Sequence, residues 1–447
     1  MDSGRASPES IPLRVVELAN DVPDKPIRAE AAWRRTLKSA YFFSTVTASY
    51  WAYSLITPFF AFECQKRGLA NWVVGLVFGA HEIVLIFAVL IFANWGHKVL
   101  GRKLCVTLGL ALTAVGTASF GLTDLISDGT GYAVLSLLVR CFQATMEGMA
   151  IAHALPVPFV YFPDNAGTVQ ASSAMASSLG FAIGPLFGEG LYEAAGYQFP
   201  FYASGAIFFV VSPIGWWLFP PESEAHNADP EDKEQVLTTE KGGQGPEELT
   251  QLRICRSPIA LFTLLAITLS AGVILFTATA IGRHLTQFHL PAMATSSTIA
   301  STSLLYLICV LPIGVLVDKV TGVQSKRRLL VVTLLLTALT IWPVGLNNFT
   351  AVVSSMMVGS LFVCVIRVAA TPVLMELFFK ELRYEDNLTN QTAIVSVMSI
   401  ATLLGSSLGP ILGNALLDVA SFLFVISLFS IFALFVAVAL LFYSSRN

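Results

Sequence analysis

Gly180-Phe181-Ala182-Ile183-Gly184-Pro185-Leu186-Phe187-Gly188 and Gly405-Ser406-Ser407-Leu408-Gly409-Pro410-Ile411-Leu412-Gly413 carry one pattern, G-xxx-GP-xx-G, at a constant offset of 225. Glycines at i, i+4 and i+8 share a helix face and let a second helix approach closely. The proline removes one backbone donor and permits a bend, which membrane helices tolerate when neighbours satisfy the freed groups. Either copy alone fits an ordinary tightly packed helix pair. Two copies at one offset indicate a chain built from two related halves.

The rest of the sequence supplies helices to fill those halves. Of 447 residues, 55% are hydrophobic and 12% charged, against about 25% charged in a soluble domain. The charges gather in short clusters. Between them run apolar stretches of about 20 residues, enough to cross a hydrocarbon core of about 30 Å. The reading places spans at 39–62, 72–94, 103–123, 132–156, 166–190 and 198–219, then at 257–281, 294–317, 329–346, 350–377, 389–417 and 421–443. The expected fold is an all-α membrane protein: twelve transmembrane helices in two pseudo-symmetric six-helix halves, 39–219 and 257–443. Residues 1–38 are polar, lack the apolar core of a signal peptide and read as a disordered cytoplasmic tail. Residues 220–256, rich in Glu, Asp, Lys, Gly and Pro, read as a cytoplasmic linker, and 444–447 as a cytoplasmic C-terminus.

Sidedness follows from the cations. With the N-terminus inside, cytoplasmic segments hold 21 of the 26 Lys and Arg residues. Outer loops hold Lys66, Arg67 and Arg283, and Arg140 and Arg367 lie within spans. An even number of spans with both termini inside is expected.

Ionisable groups within spans cost several kcal/mol and usually face a cavity or a partner. Arg140, Gln143 and Glu147 share one face of span 4, since seven residues turn about 20° short of two full turns. Arg140 and Glu147 lie roughly 10 Å apart along the axis, too far for a direct pair unless Gln143 bridges them. Two readings stand: Glu147 as a proton site for which a cationic substrate competes, or a permanent network holding span 4 to its neighbours. His81 and Glu82 lie near mid-bilayer in span 2, either as a second proton or cation site or as a locally satisfied interface pair. Thr45, Ser49, Tyr53 and Thr57 form a hydroxyl face on span 1. That face could hold an amine by cation–π attraction of roughly 0.5–2 kcal/mol, or simply pack. Arg367 lies in span 10 at an offset of 227 from Arg140 rather than 225, so it is not read as the mate of Arg140. It could fix a carboxylate across the cavity or favour an anionic substrate. Glu376, nearer the cytoplasmic end of that span, reads as a gate or structural pair.

Asp318 and Lys319 end span 8 beside Lys326, Arg327 and Arg328. Ala93 to Lys98, followed by Gly101-Arg102-Lys103, is the first-half counterpart. Such an acid beside a cationic loop is either a state-dependent ion pair or a topology signal. No nucleotide loop, nucleophile elbow or metal-ligand cluster is present. Neither an enzyme nor a metal site is therefore expected. Six scattered cysteines suggest no disulfide, and a net charge of −3 gives no sign of a nucleic-acid partner. Asn348-Phe349-Thr350 matches a glycosylation acceptor in an outer loop.

These motifs resemble the major facilitator superfamily. Leu138 to Ala144 resembles its span-4 arginine motif, and the span-5 Gly-Pro element is similar to the one shared by its proton-coupled antiporters. Pro58-Phe59-Phe60, Val74 to Gly79, and Gly184-Pro185 through Leu191-Tyr192 to Gly196-Tyr197 and Pro200-Phe201 resemble the vesicular polyamine transporter branch of solute carrier family 18. His97 stands where the superfamily loop has an acid, and Glu189 where the span-5 motif has a second glycine. The resemblance implies a monomeric antiporter in a secretory or acidic vesicle membrane, or in the plasma membrane. It would exchange protons for polyamines or other organic cations, with a proton gradient as energy source and no cofactor. The competing readings are a carrier of organic anions or neutral drugs bound by Arg140 and Arg367, and a transporter-like sensor that does not transport.

Overall fold

The computed structural model describes residues 32–154, 158, 166–218, 249–291, 293–320, 322–385 and 388–446. The expected tail up to residue 31, the last residue of the sixth expected span and the linker from 220 to 248 lie outside the described residues, as do the side chains of His97 and Lys98. Among the described residues there is no strand. They form twelve long helices: α1 (Ala32–Ser54), α2 (Asn71–Val99), α3 (Arg102–Phe120), α4 (Gly129–Ala154), α5 (Ala166–Ala195), α6 (Phe199–Leu218), α7 (Pro258–Leu285), α8 (Met293–Lys319), α9 (Val323–Ile341), α10 (Phe349–Glu376), α11 (Leu388–Leu416) and α12 (Phe422–Arg446). A short helix, Gln251–Arg256, lies within the expected linker and leads into α7. Ten of the twelve are long and apolar enough to cross a membrane. The other two, α1 and α5, have 23 and 30 residues. They carry more hydroxyl and small residues, and they pack against each other.

Packing is organised twice over. In the first half α1 packs on α5, α2 on α4, and α3 on α4 and α6. In the second half α7 packs on α11, α8 on α10, and α9 on α10 and α12. The halves meet where α2 lies against α11 and α5 against α8. The glycine motifs set the closest approaches within each half. Gly180 and Gly184 lie against Thr47 and against Trp51 with Ser54 of α1, Gly188 lies against Leu55 just beyond it, and Gly405, Gly409 and Gly413 lie against Thr268, Gly272 and Phe276 of α7. Both helices run unbroken through Pro185 and Pro410.

Corresponding hydrogen bonds mark the repeat. Thr47 Oγ1 donates to the Ala176 carbonyl at 3.1 Å, and Thr268 Oγ1 to the Ala401 carbonyl at 3.0 Å. Gly101 and Gly322, at an offset of 221, open α3 and α9 with φ of 80° and 88°, a conformation that favours glycine. Asp128 and Asn348, at an offset of 220, cap α4 and α10 by accepting from Gly131 N and Ala351 N. The register thus shifts from 221 to 220 to 225 along the chain, because the loops of the halves differ in length.

Candidate functional site: a buried charge cluster at the centre

The site begins with a break in α1. The helix stops at Ser54, and Pro58, four residues on, has no N–H to offer the Ser54 carbonyl. That carbonyl takes Thr57 N and Thr57 Oγ1 instead, at 3.1 and 2.7 Å. The carbonyls of Ala52 and Tyr53 are left facing α4. Arg140 fills the gap, with Nη1 donating to Ala52 O at 3.2 Å and Nη2 to Tyr53 O at 2.8 Å. Its Nη1 also donates to Gln143 Oε1 at 2.8 Å, and Gln143 Nε2 donates to Thr117 Oγ1 at 3.0 Å. The guanidinium is 1% exposed and lies 5.5 Å from each of the Tyr53, Phe78 and Phe120 rings. Gln143 therefore ties Arg140 to α3.

Glu147 faces α2. Its Oε2 lies 3.3 Å from His81 Nε2, and His81 Nδ1 lies 4.0 Å from Glu82 Oε1. The three groups are 4%, 1% and 8% exposed respectively. Neither His81 ring nitrogen nor Glu147 Oε2 completes a hydrogen bond, and Tyr53 Oη is equally bare. The Tyr53 ring stands edge-on to the imidazole with centroids 5.1 Å apart. An imidazole and a carboxylate at this separation can share one proton, and a cation entering beside them would meet two acids.

The remaining predicted residues fall around this cluster. Thr45, Ser49, Tyr53 and Thr57 are all buried, and the Thr45 and Thr57 hydroxyls bond carbonyls of their own helix segment. Arg367 reaches towards the cluster from α10, where Tyr50 lies within electrostatic reach of Arg367, Glu82 and Glu147, and Tyr306 within reach of Arg367. Among the described residues Arg367 has no hydrogen bond or ion pair. In the register set by the two caps, Arg367 is the mate of Glu147: both pairs share the offset of 220. Opposite charges thus occupy equivalent positions in the two halves. Sequence reading did not single out Tyr50 or Tyr306; polar aromatics beside candidate charges are the signal that was available.

At the end of the bundle where α1 begins and α12 ends, Glu376 pairs with Lys326 at 3.0 Å and Lys380 at 2.9 Å, and Arg327 pairs with Glu381. Asp318 and Lys319 are exposed, and no ion pair involves Asp318 among the described residues. The loop cations thus bind α10 and the turn that follows it.

The opposite, distal end is tied by residues that the sequence reading passed over. Asp418 accepts from Asn71 N at 2.8 Å, Asn71 Nδ2 at 2.9 Å and Trp72 N at 3.0 Å, capping α2 from the other half. Arg283 donates to Asn71 Oδ1. Asp418 is exposed, so loss of this cap should cost no more than about 0.5–2 kcal/mol of stability. Asp418→Ala is nevertheless expected to speed hydrogen exchange at the Asn71 and Trp72 amides, and unchanged exchange there would contradict the latch. Beside it, Glu63 accepts from Lys66, Arg67 and Tyr192 at 2.6–2.7 Å, and Arg67 also binds Asp124 at 2.8 Å. Burial pulls the Glu63 carboxyl upward, but these donors outweigh it and hold it below the ordinary carboxylate range. Its contribution is present at neutral pH and fades only as pH falls through that depressed value.

The family model of the Major Facilitator Superfamily matches residues 42–296 and 265–447, and the chain belongs to that superfamily. It is similar to the MFS-type transporter SLC18B1 of Homo sapiens, 30% identical over 168 residues, 38% of this chain and 37% of the relative. The Mus musculus protein of the same name is 32% identical over 178 residues, 40% of this chain and 38% of the relative. The matched stretch thus spans less than two fifths of those relatives. Among solved structures, a bacterial homolog of the human lysosomal transporter Spinster, inward-facing and unoccupied, aligns with a TM-score of 0.70. It is 15% identical and covers 93% of this chain and 98% of its own. The nucleoside transporter NupG aligns with a TM-score of 0.67 at 12% identity, over 92% of this chain and 99% of its own. At these identities the structures share the fold alone. The chain is a multi-pass membrane protein of the major facilitator fold.

Proposed function

We propose that the protein is a proton-coupled antiporter that exchanges protons for organic cations, polyamines among them, by alternating access. The observation that carries this reading is the buried Glu147–His81 pair at 3.3 Å with Glu82 beside it. A proton and an ammonium group compete for the same carboxylates, so loading one expels the other. The distribution of Lys and Arg supports cytoplasmic termini, which makes the distal end lumenal. The latch through Asp418 then closes the lumenal side, and Glu147 takes its proton when that side opens to an acidic lumen. The similarity to SLC18B1 supports a secretory or acidic vesicle membrane, with the protein acting as a monomer. The proton gradient supplies the energy.

The test is uptake of labelled spermidine into proteoliposomes with an acidic interior. Glu147→Gln is expected to abolish uptake while leaving the melting temperature within a few degrees, since Glu147 Oε2 accepts no hydrogen bond. Undiminished uptake would sink the mechanism. A second reading, carriage of organic anions, is favoured by Arg367, which stands unpaired among the described residues at the position equivalent to Glu147. A thermal-shift panel separates the two: stabilisation by carboxylates and not by amines would favour the anion carrier.

A further inference from the structure

A cleft of about 300 Å³ lies at the distal end between the halves, apart from the central cluster. Its walls include Phe59 and Phe62 beyond the break in α1, Glu189 and Tyr192 of α5, and Leu290 and Pro291 before α8. Glu189 is 2% exposed, and its Oε2 accepts no hydrogen bond. Lys66, the cation on the cleft wall, is committed to Glu63 at 2.7 Å. A further acid, Glu193, lies one turn along α5 from Glu189. The repeat-related residue shows what a structural polar group looks like at this position. Asn414, its mate in the register of the glycine motifs, is also buried, and its Nδ2 donates to Thr279 Oγ1 and Pro410 O, both at 3.0 Å. Asn414 joins α11 to α7, whereas no such bond joins Glu189 to α1 through Oε2. A carboxylate kept in a membrane helix without a partner is costly unless something arrives to meet it.

We propose that the distal cleft is a second cation site, in which Glu189 receives a protonated amine. The hydrocarbon part of that ligand lies against the stacked Phe59 and Tyr192 rings, 4.9 Å apart, and against Phe62. An alkylammonium fits this chemistry: one carboxylate for the charge, aromatic faces for cation–π contact and apolar walls for the chain. The choice of ligand class rests on the cation-carrier reading, and the site adds a lumenal station on the path to or from the central acids.

The experiment is equilibrium binding of radiolabelled spermidine to the full-length protein in nanodiscs, for wild type, Glu189→Gln and Glu147→Gln. Two molecules per chain are expected in wild type. Glu189→Gln should bind one, with the remaining affinity changed less than twofold. Glu147→Gln should retain the site that Glu189→Gln lacks. Should the Gln variant not fold, Glu189→Asn, which installs the residue found at 414, replaces it. Loss of one site in Glu189→Gln but none in Glu147→Gln upholds the distal site and removes the central assignment. One molecule per chain in wild type and in Glu189→Gln alike overturns the distal site, as does no binding at all.

Discussion

Replacing Arg140 by Leu is expected to lower stability by about 3 kcal/mol or more, the largest loss from any single side chain of the central cluster. Two guanidinium bonds to the Ala52 and Tyr53 carbonyls disappear, each worth roughly 1.5–3 kcal/mol when the donor is charged. Leu also leaves Gln143 Oε1 without its donor. The relief from no longer burying the guanidinium offsets part of this. Extending α1 would need Ile56 N and Thr57 N as donors to these carbonyls, but Thr57 N is held by the Ser54 carbonyl and Pro58 disfavours a helical conformation for the residue before it. The check is thermal melting of the purified protein in detergent. A lysine at 140 carries the charge on a single ammonium and cannot present the planar fork that spans two carbonyls, so Arg140→Lys should recover less than half of the loss. A melting temperature unchanged by Arg140→Leu would show that the break in α1 does not depend on Arg140. Glu147→Gln, seven residues further along the same face, should by contrast spare stability and remove transport. The pair separates a residue that builds the site from one that is proposed to operate it.

Some of this was written in the sequence and some was not, for identifiable reasons. Span length and the glycine repeat at offset 225 led directly to twelve helices in two halves. Glycine spacing is a local signal, and the close approach it permits leaves the same residues in both copies. The rest of the repeat was hidden because one offset does not hold along the chain. Gly101 and Gly322 stand at offset 221 and Asp128 and Asn348 at 220, so a search at 225 finds α5 and α11 alone. In the 220 register Arg367 answers to Glu147, which no comparison with Arg140 could have revealed. The partners of Arg140 were illegible for a different reason. They are backbone carbonyls, and the only trace of them in sequence is Pro58, which ends the hydrogen-bond ladder of α1. Asp418 was missed because its partner Asn71 lies 347 residues away and because counting loop cations passes over a lone acid.

Gly75→Val and Gly405→Val are expected to part company, although both place bulk where a helix backbone presses close. At Gly405 a Cβ would overlap the Thr268 carbonyl oxygen. That contact joins α11 to α7 within one half and must persist throughout any cycle. Val there can be accommodated only by separating two helices of the same half. Forced overpacking costs typically about 1–3 kcal/mol when side chains can give, and more where the obstacle is backbone. Little monodisperse protein should elute on size exclusion. At Gly75 a Cβ would overlap the Pro410 carbonyl oxygen and come within 3.0 Å of Asn414 Cβ. This contact joins α2 to α11 across the halves, at the face that rocking between two access states has to open. Val at 75 therefore penalises only the arrangement with the distal end closed, and the protein can escape by populating the other. A differential penalty of about 1.4 kcal/mol already shifts that equilibrium tenfold. Spin labels on Ser127→Cys and Val419→Cys, one in a distal loop of each half, would report it. Their distance distribution should move to longer values in Gly75→Val while the melting temperature stays near that of wild type. Failure of Gly75→Val to fold, as Gly405→Val is expected to fail, would mean that the α2–α11 contact is permanent, and the halves could not open at the distal end.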